Sequence, residues 1–213
     1  MNINQFVLFR SVCLIFISGL LLMGCNPSRR LASASSGYPA SQYYGDRWNN
    51  DFVRLNSDPR PSGSTTLTLV SGKSGFKMPF CGKVASEFGM RNGRMHEGID
   101  IILRHEDPVY SAFDGVVRVA RDHANYGKYV VVRHDNGLET LYSHLNSIAV
   151  KLNQRVKAGD KIGGGGRTGN AQTDHLHLET RFQGEPFNPR LIIDFEKCTL
   201  KSNTITLNSD SYR

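Results

Sequence analysis

One alternating stretch decides the fold class, and it reads His175-Leu176-His177-Leu178-Glu179-Thr180-Arg181-Phe182. Successive side chains of a β-strand point to opposite faces of the sheet, so this stretch separates its residues into two sets. The two histidines, the glutamate and the arginine share one face, and the two leucines, the threonine and the phenylalanine share the other. The stretch therefore predicts a strand with an apolar face and a face of ionisable groups.

Several short apolar segments with a strand-like composition precede this strand in the chain. Residues 115–120, 129–133 and 139–142 are rich in valine and other strand-forming residues, and turns that contain glycine separate such segments. Asp135-Asn136-Gly137 contains the Asn-Gly pair that is typical of a tight hairpin turn between the last two strands. No segment shows the periodicity of a long helix. The sequence therefore predicts a mainly β domain of antiparallel strands.

The composition fits one globular domain with extensions. The chain has 213 residues, 39% of them hydrophobic, and 26 Lys and Arg against 19 Asp and Glu give a net charge of +7. Aromatic and β-branched residues are frequent enough to exclude a wholly disordered chain. The basic balance indicates a polyanionic neighbour such as nucleic acid, anionic lipid or an acidic cell-wall polymer, and does not choose among them.

The N-terminus has the pattern of an export signal. Arg10 is the one charged residue before Arg29, and residues 11–23 form an apolar run that is shorter than the about 20 residues of a membrane span. A basic start, a short apolar centre and a small residue before the cleavage point are typical of a signal peptide, which we assign to residues 1–24. An N-terminal anchor helix is the alternative interpretation.

The end of this signal, Leu22-Met23-Gly24-Cys25, resembles the bacterial lipobox. The resemblance implies that Cys25 is lipidated and becomes the first residue of the mature chain. Acyl chains would then attach the protein to a membrane without spanning it. Asn26 in place of an aspartate resembles lipoproteins of the outer membrane that face the periplasm.

Composition divides the rest of the chain into three parts. Residues 25–75 are rich in Ser, Arg, Asn, Gly and Pro without periodicity, which predicts a flexible linker. Its arginines are either solvated or in contact with a membrane or a glycan. Residues 76–198 form the predicted folded domain, and residues 199–213 form a predicted polar C-terminal tail.

Two cysteines remain in the predicted mature domain. Cys81 and Cys198 are an even pair in an oxidising compartment, where disulfides form and persist. They are predicted to be either a disulfide or two buried free thiols.

The histidines indicate a metal site. His175 and His177 leave the same face of the predicted strand, and upstream His96 precedes Asp100 by four residues. Two imidazoles and one carboxylate are a usual ligand set of a catalytic zinc, which keeps a fourth position for water. These residues are therefore candidate metal ligands.

Three motifs in this order resemble those of the lysostaphin/LytM-type zinc metallopeptidases, which cut peptidoglycan peptides. They are His96-Glu97-Gly98-Ile99-Asp100, Tyr142-Ser143-His144-Leu145 and His175-Leu176-His177-Leu178-Glu179. The resemblance covers about residues 76–192. It implies an antiparallel β domain with a groove, similar to a duplicated hybrid motif.

The resemblance also implies roles for five residues. His96, Asp100 and His177 would bind one Zn²⁺ per domain, and His144 and His175 would flank the water that attacks the peptide bond. Imidazole can hydrogen-bond to that water or transfer a proton, and the sequence does not separate the two roles.

Other residues of this region carry weaker expectations. Glu179 or Asp174 would orient a metal ligand, or else both are ordinary surface carboxylates. His105, His123 and His134 match no motif and are expected on the surface or in turns. Residues 168–174 depart from the family pattern of Thr-Gly-x-Ser-Thr-Gly-Pro before the last two histidines, and this bears on substrate preference.

These observations predict a monomeric, lipid-anchored zinc metalloendopeptidase that hydrolyses cross-links or stem peptides of peptidoglycan. The alternative is a wall-binding or regulatory module that activates another hydrolase. Export and the lack of an aromatic and basic recognition motif argue against a nucleic-acid partner. D-alanyl–diaminopimelate bonds, glycyl bridges and the wall of another organism are all compatible with these residues, and so is a linker that fills the groove.

Overall fold

The computed structural model describes residues 63–72 and 75–212. The predicted signal peptide, Cys25 and most of the predicted linker lie outside the described residues. Within the described part of the chain, no helix is long and apolar enough to cross a bilayer.

The described residues form seventeen strands and two short 3-10 helices, at Pro189–Leu191 and Ser209–Tyr212. The strands are β1 (Thr65–Thr68), β2 (Val84–Ser86), β3 (Gly89–Arg91), β4 (Arg94–His96), β5 (Ile99–Ile102), β6 (Pro108–Tyr110), β7 (Gly115–His123), β8 (Gly127–Arg133), β9 (Leu138–Leu145), β10 (Ser147–Ile148), β11 (Arg155–Val156), β12 (Lys161–Gly164), β13 (His175–Phe182), β14 (Glu185–Phe187), β15 (Ile193–Asp194), β16 (Thr199–Leu200) and β17 (Thr204–Leu207).

One antiparallel sheet organises the domain. Its strand order is β11-β7-β8-β9-β13-β5-β2, and β14 also pairs with β13. Strand β13 therefore lies between β9 and β5, with His177 opposite Ser143 on one side and opposite Asp100 on the other. The mainly β, antiparallel fold class predicted from the sequence is confirmed.

Both faces of the central strands are covered. Leu176 and Leu178 are completely buried in the main hydrophobic core, as the alternation of β13 predicts. A second, smaller apolar cluster includes Val131 of β8 and Leu141 of β9. Burial on both faces lets the valine-rich strand β8 be apolar at consecutive positions, and it explains why the ionisable face of β13 is itself buried.

The domain extends beyond both of its predicted boundaries. Strand β1 lies in the predicted linker and pairs with β17, which lies in the predicted tail. Leu67 of β1 and Leu207 of β17 are 2% and 1% exposed, and Tyr212 is also buried. Each strand has four residues, which is too short for a periodic signal, and each contributes its leucine to the main hydrophobic core.

Cys81 and Cys198 form a disulfide, so the first of the two predicted alternatives is correct. Their Cα atoms are 5.7 Å apart, within the usual range for a bridge. The bond closes a loop of 117 residues between the start of the domain and its C-terminal segment. In the chain-entropy model such a loop stabilises the fold by about 4–5 kcal/mol.

His134 lies in the turn between β8 and β9, one of the two expected positions, but its side chain is buried. Its Nδ1 donates to the carbonyl of Asp114 at 2.8 Å, and the Thr140 hydroxyl lies 2.9 Å from its Nε2. Burial lowers the pKa of His134 to about 4. His105 and His123 are exposed, as expected.

Replacing the buried leucine of β17 tests whether the C-terminal segment belongs to the fold. We expect Leu207→Ala to lower the free energy of unfolding by about 2–4 kcal/mol, because it leaves a cavity in the core. The control is Thr204→Ala, which changes an exposed residue of the same strand. Its free energy of unfolding should stay within about 0.5 kcal/mol of that of the wild type. Urea denaturation measures both, and equal effects would show that the segment does not stabilise the domain.

Acid should destabilise the protein through His134. Its pKa is about 4 in the folded state and about 6.5 in an unfolded chain, so the unfolded state binds more protons between these values. This contribution to stability is complete above about pH 6.5 and is lost as the pH falls towards 4, by about 3 kcal/mol in all. Urea midpoints at several pH values should fall less steeply for His134→Gln than for the wild type or the exposed control His105→Gln.

Candidate metal centre

Three strands bring the candidate metal ligands together. His96 is the last residue of β4, Asp100 follows in β5, and His177 lies opposite Asp100 on β13. Directly opposed residues of an antiparallel pair project from the same face of the sheet. Gly98 allows the close passage between the first two ligands, because a Cβ there would lie 2.5 Å from the Leu178 carbonyl and 2.8 Å from the His177 ring.

The ligand atoms form a compact triangle. His96 Nε2 lies 3.1 Å from Asp100 Oδ1 and 3.1 Å from His177 Nδ1, and the last two atoms are 2.8 Å apart. Atoms bound about 2.0–2.1 Å from a tetrahedral zinc lie about 3.3 Å from each other. A zinc-sized ion therefore fits this set after a shift of a few tenths of an ångström.

The electrostatics of the triangle favour a positive charge. Burial opposes ionisation of Asp100, but hydrogen bonds with His177 and His96 outweigh burial and lower the pKa of the carboxyl well below its usual range. Burial also acts to lower the pKa of His177, and hydrogen bonds with Asp100 and Glu179 reverse this and raise it to about 9. The two carboxylates therefore stabilise a cation at this point.

Hydrogen bonds orient both ligand rings. His96 Nδ1 donates to the Glu87 carbonyl at 2.6 Å, and His177 Nε2 donates to Glu179 Oε1 at 3.0 Å. The opposite nitrogen of each ring faces the triangle, where a metal ion would take the place of a proton or hydrogen bond at that nitrogen. Partners of this kind fix the tautomer and orientation of histidines that bind metal ions.

Of the two carboxylates expected to orient a ligand, Glu179 makes the contact. It is completely buried, and its Oε1 also accepts a hydrogen bond from the Tyr126 hydroxyl at 3.0 Å. Asp174 lies 3.8 Å from His105, and its buried Oδ1 has no hydrogen bond to any described residue.

A buried ion-pair network supports Glu179, and the sequence analysis did not identify it. Arg181, 1% exposed, pairs with Glu179 and donates to Glu97 at 3.0 Å and to the Tyr126 hydroxyl at 3.1 Å. The alternation of β13 placed Arg181 on the histidine face, which was the available signal. For Glu97 and Tyr126 the sequence contained no such signal, because their contacts connect distant parts of the chain.

The structure brings His144 and His175 to the same place. Their ring centroids are 4.7 Å apart, and the His144 ring lies 5.8 Å from that of His177. His175 Nε2 is 3.7 Å from Asp100 Oδ1. All five residues that were predicted to bind the metal or to act in catalysis therefore form one cluster.

The loop that departs from the family pattern positions these two histidines. His144 Nδ1 donates to the Thr168 carbonyl at 2.8 Å, and His175 Nδ1 donates to the Thr173 carbonyl at 2.8 Å. His144 has a φ of 60°, a conformation that costs a side chain about 1–3 kcal/mol and is common at functional sites. The main chain of residues 168–174 therefore aims both rings.

His144 is neutral at physiological pH. Burial lowers its pKa to about 4, and the neighbouring His177 and His175 rings act in the same direction. Because Nδ1 carries the proton, Nε2 has a free lone pair. A neutral imidazole with a free nitrogen can accept a proton from an attacking water.

An open cleft adjoins the cluster. It has a volume of about 480 Å³ and is lined by residues of the β3–β4 hairpin, from Arg91 to the candidate ligand His96. The cleft therefore reaches the cluster at His96.

The fold and site together define the class of protein. A β domain with two imidazoles and a carboxylate around one point, two further histidines beside them and an open cleft has the features of a metallopeptidase. Residues 94–189 match the family described as Peptidase family M23. The resemblance inferred from the three motifs is confirmed at this level.

Relatives with known names share this region. The peptidoglycan DD-endopeptidase ShyA of Vibrio cholerae is 43% identical over 93 residues, which are 44% of this chain and 22% of the relative. The DD-carboxypeptidase/endopeptidase Mpg of Neisseria meningitidis is 38% identical over 113 residues, which are 50% of this chain and 26% of the relative. The chain thus spans about a quarter of the length of these relatives.

A solved structure shares the fold alone. A chain of the SpoIIQ–SpoIIIAH pore-forming complex is 22% identical, with a TM-score of 0.51, and the match covers 58% of this chain and 94% of that one.

Metal affinity should depend on Glu179. We expect Glu179→Gln to weaken binding of Zn²⁺, used as the test ion, by about 10–100-fold, because His177 loses the carboxylate that orients its ring. Competition with a chromophoric chelator measures the affinity. The matched control is Asp174→Asn, which should bind Zn²⁺ as the wild type does.

Because Glu179→Gln also leaves Arg181 without its buried partner, Tyr126→Phe provides a milder test. It removes one hydrogen bond to Glu179 and keeps the ring, so a smaller loss of affinity is expected. Wild-type affinity in both variants, with folding verified by circular dichroism, would contradict the orienting role.

Proposed function

We propose that the domain is a zinc metalloendopeptidase that hydrolyses peptide bonds of peptidoglycan. The observation that carries the proposal is the convergence of His96, Asp100 and His177 on one point, with His144 and His175 beside it. The domain's family and the names of its relatives support peptide hydrolysis in the cell wall.

The residues of the cluster divide the chemistry among them. His96, Asp100 and His177 would hold the zinc ion, which supplies a Lewis acid that polarises the scissile carbonyl and makes water a stronger nucleophile. Nε2 of neutral His144 accepts the proton that the attacking water loses. His175 faces the same space and stabilises the charge that develops on the carbonyl oxygen.

His144 both accepts a proton and returns one, so the reaction leaves the two histidines unchanged. Water adds its oxygen to the amide carbon, the carbon–nitrogen bond breaks, and the departing amine takes up a proton. The proton taken up by His144 is then available to that amine, so neither histidine is consumed in the cycle. Buried Glu179 and Arg181 hold the ligand His177 in place during this exchange.

The second part of the proposal concerns the cellular location of the protein. In this proposal the chain is exported, cleaved before Cys25 and anchored by lipid to a membrane, and Asn26 favours the periplasmic face of the outer membrane. The length of chain between the anchor and the domain would let a monomeric enzyme reach the wall. The Cys81–Cys198 disulfide accords with an oxidising compartment.

The regulatory alternative receives no support from the site. A module that only binds would not need a complete ligand set with oriented rings, and all five positions of the motifs are filled here. We therefore propose catalysis.

Substitution of His144 separates catalysis from metal binding. We expect His144→Ala to lower the rate of peptidoglycan hydrolysis by about 10²–10⁴-fold and to keep one zinc per chain, because His144 accepts a proton and holds no metal. Asp100→Ala should lose both zinc and activity. The exposed His123→Ala is the control and should retain both.

Mass spectrometry of fragments released from purified cross-linked peptidoglycan measures the rate and identifies the bond. Removal of metal with a chelator should abolish release, and added Zn²⁺ should restore it. A zinc-loaded wild-type chain that releases no fragments but stimulates a second wall hydrolase would replace this proposal with the regulatory one.

A further inference from the structure

The hairpin of β3 and β4 carries two arginines that the proposed chemistry does not use. Its register pairs Arg91 with Arg94 directly across the strands, and Asn92 (φ 48°) and Gly93 (φ 77°) form the turn between them. Opposed residues of an antiparallel pair have Cβ atoms about 4.5–5.5 Å apart on one face, and like charges in such a pair are destabilising. The hairpin therefore holds two positive charges side by side at a cost in stability.

The arginine pair shares a hairpin face with His96. Residues two apart on a strand project from the same face, so Arg94 and His96 point the same way on β4, as does Arg91 across from them. Gly89 pairs with His96 and adds no side chain to this face. The cleft of about 480 Å³ is lined by both arginines and by the candidate ligand His96.

Nearby groups of the protein satisfy the pair only in part. Arg91 donates a hydrogen bond to the Ser86 hydroxyl and its Nη1 forms a long ion pair with Asp100 Oδ2 at 3.9 Å, while its side chain remains half exposed. In the part of the chain that the structure describes, Arg94 has no hydrogen-bond or ion-pair partner for its side chain. The glutamates that flank the hairpin in sequence are engaged in the pairs Glu87–Arg190 and Glu97–Arg181.

We propose that Arg91 and Arg94 bind a free carboxylate of the peptide substrate beside the bond that is cut. Guanidinium groups bind carboxylates through paired, charge-assisted hydrogen bonds, and an anion between the two arginines removes their repulsion. Arg91 lies 3.9 Å from an oxygen of the ligand Asp100, and one residue of extended chain spans about 3.5 Å. The bound carboxylate therefore belongs to a residue next to the scissile bond.

This inference deepens the proposed function and rests on it. The carboxylate is either on a side chain or at the C-terminus of the substrate, and three synthetic peptides distinguish these sources. Each contains a D-alanyl–diaminopimelate cross-link. The first has all carboxyls free, the second has the diaminopimelate carboxyl beside the scissile bond as a carboxamide, and the third has its C-terminal carboxyl as a carboxamide.

For the full chain loaded with Zn²⁺, we expect one of the two amidated peptides to have a kcat/KM about 10-fold below that of the free acid. The amide that shows the loss identifies the source of the carboxylate. Arg94→Gln should raise KM for the free acid until the preference disappears. Arg155→Gln is the control, because it removes an exposed arginine from β11, at the far edge of the sheet, and should keep the preference.

Binding to the full chain with His144→Ala separates failure of the subsite from failure of the proposed function. Isothermal titration calorimetry with the same peptides should show the same preference, and adding Arg94→Gln should remove it. If no peptide is cleaved but this binding preference is present, the hydrolase proposal fails and the carboxylate subsite stands. Equal binding of all three peptides, or a preference that survives Arg94→Gln, overturns the subsite.

Discussion

The position of His177 between two neighbouring strands is the constraint on which the site depends. It lies opposite Asp100 on β5 and Ser143 on β9, so both pairings must keep their register. A slip of one residue would turn the histidine to the other face of the sheet. Leu176 and Leu178, which alternate with it and are completely buried, oppose such a slip. The hydrophobic core therefore both stabilises the sheet and determines which ligand atoms converge.

Two charged residues of β13, Glu179 and Arg181, are buried beside His177. Taking Glu179 and Arg181 out of water is expensive, and such a pair is stable only when further hydrogen bonds satisfy it. Tyr126 and Glu97 supply those bonds, and Glu179 in turn fixes the ring of His177. A hydrophobic pair would fill the space but could not orient a ligand. The buried Glu179–Arg181 pair therefore determines the orientation of the His177 ring in the candidate metal site.

The remaining groups of the site depend on main-chain geometry at the ends of strands. Gly98 lets the chain pass close to His177, and the carbonyls of Thr168 and Thr173 hold the rings of His144 and His175. Rigid strands supply the candidate metal ligands, while a loop aims the two histidines that are proposed to act on the substrate. A change in this loop would alter the orientation of these rings before it altered metal binding.

The sequence by itself determined the local features: the alternation of residues 175–182, the Asn-Gly turn before β9 and the histidines and aspartate of the three motifs. These features can be recognised from the sequence because the alternation of a strand and the chemical types of metal ligands depend only on residues that are close together in the chain. Only the tertiary structure decided the pairing of β1 with β17, the Cys81–Cys198 bond, the hydrogen bond from Tyr126 to Glu179 and the position of Asp100 opposite His177. These features depend on strand register and on contacts between distant parts of the chain, which no local pattern encodes.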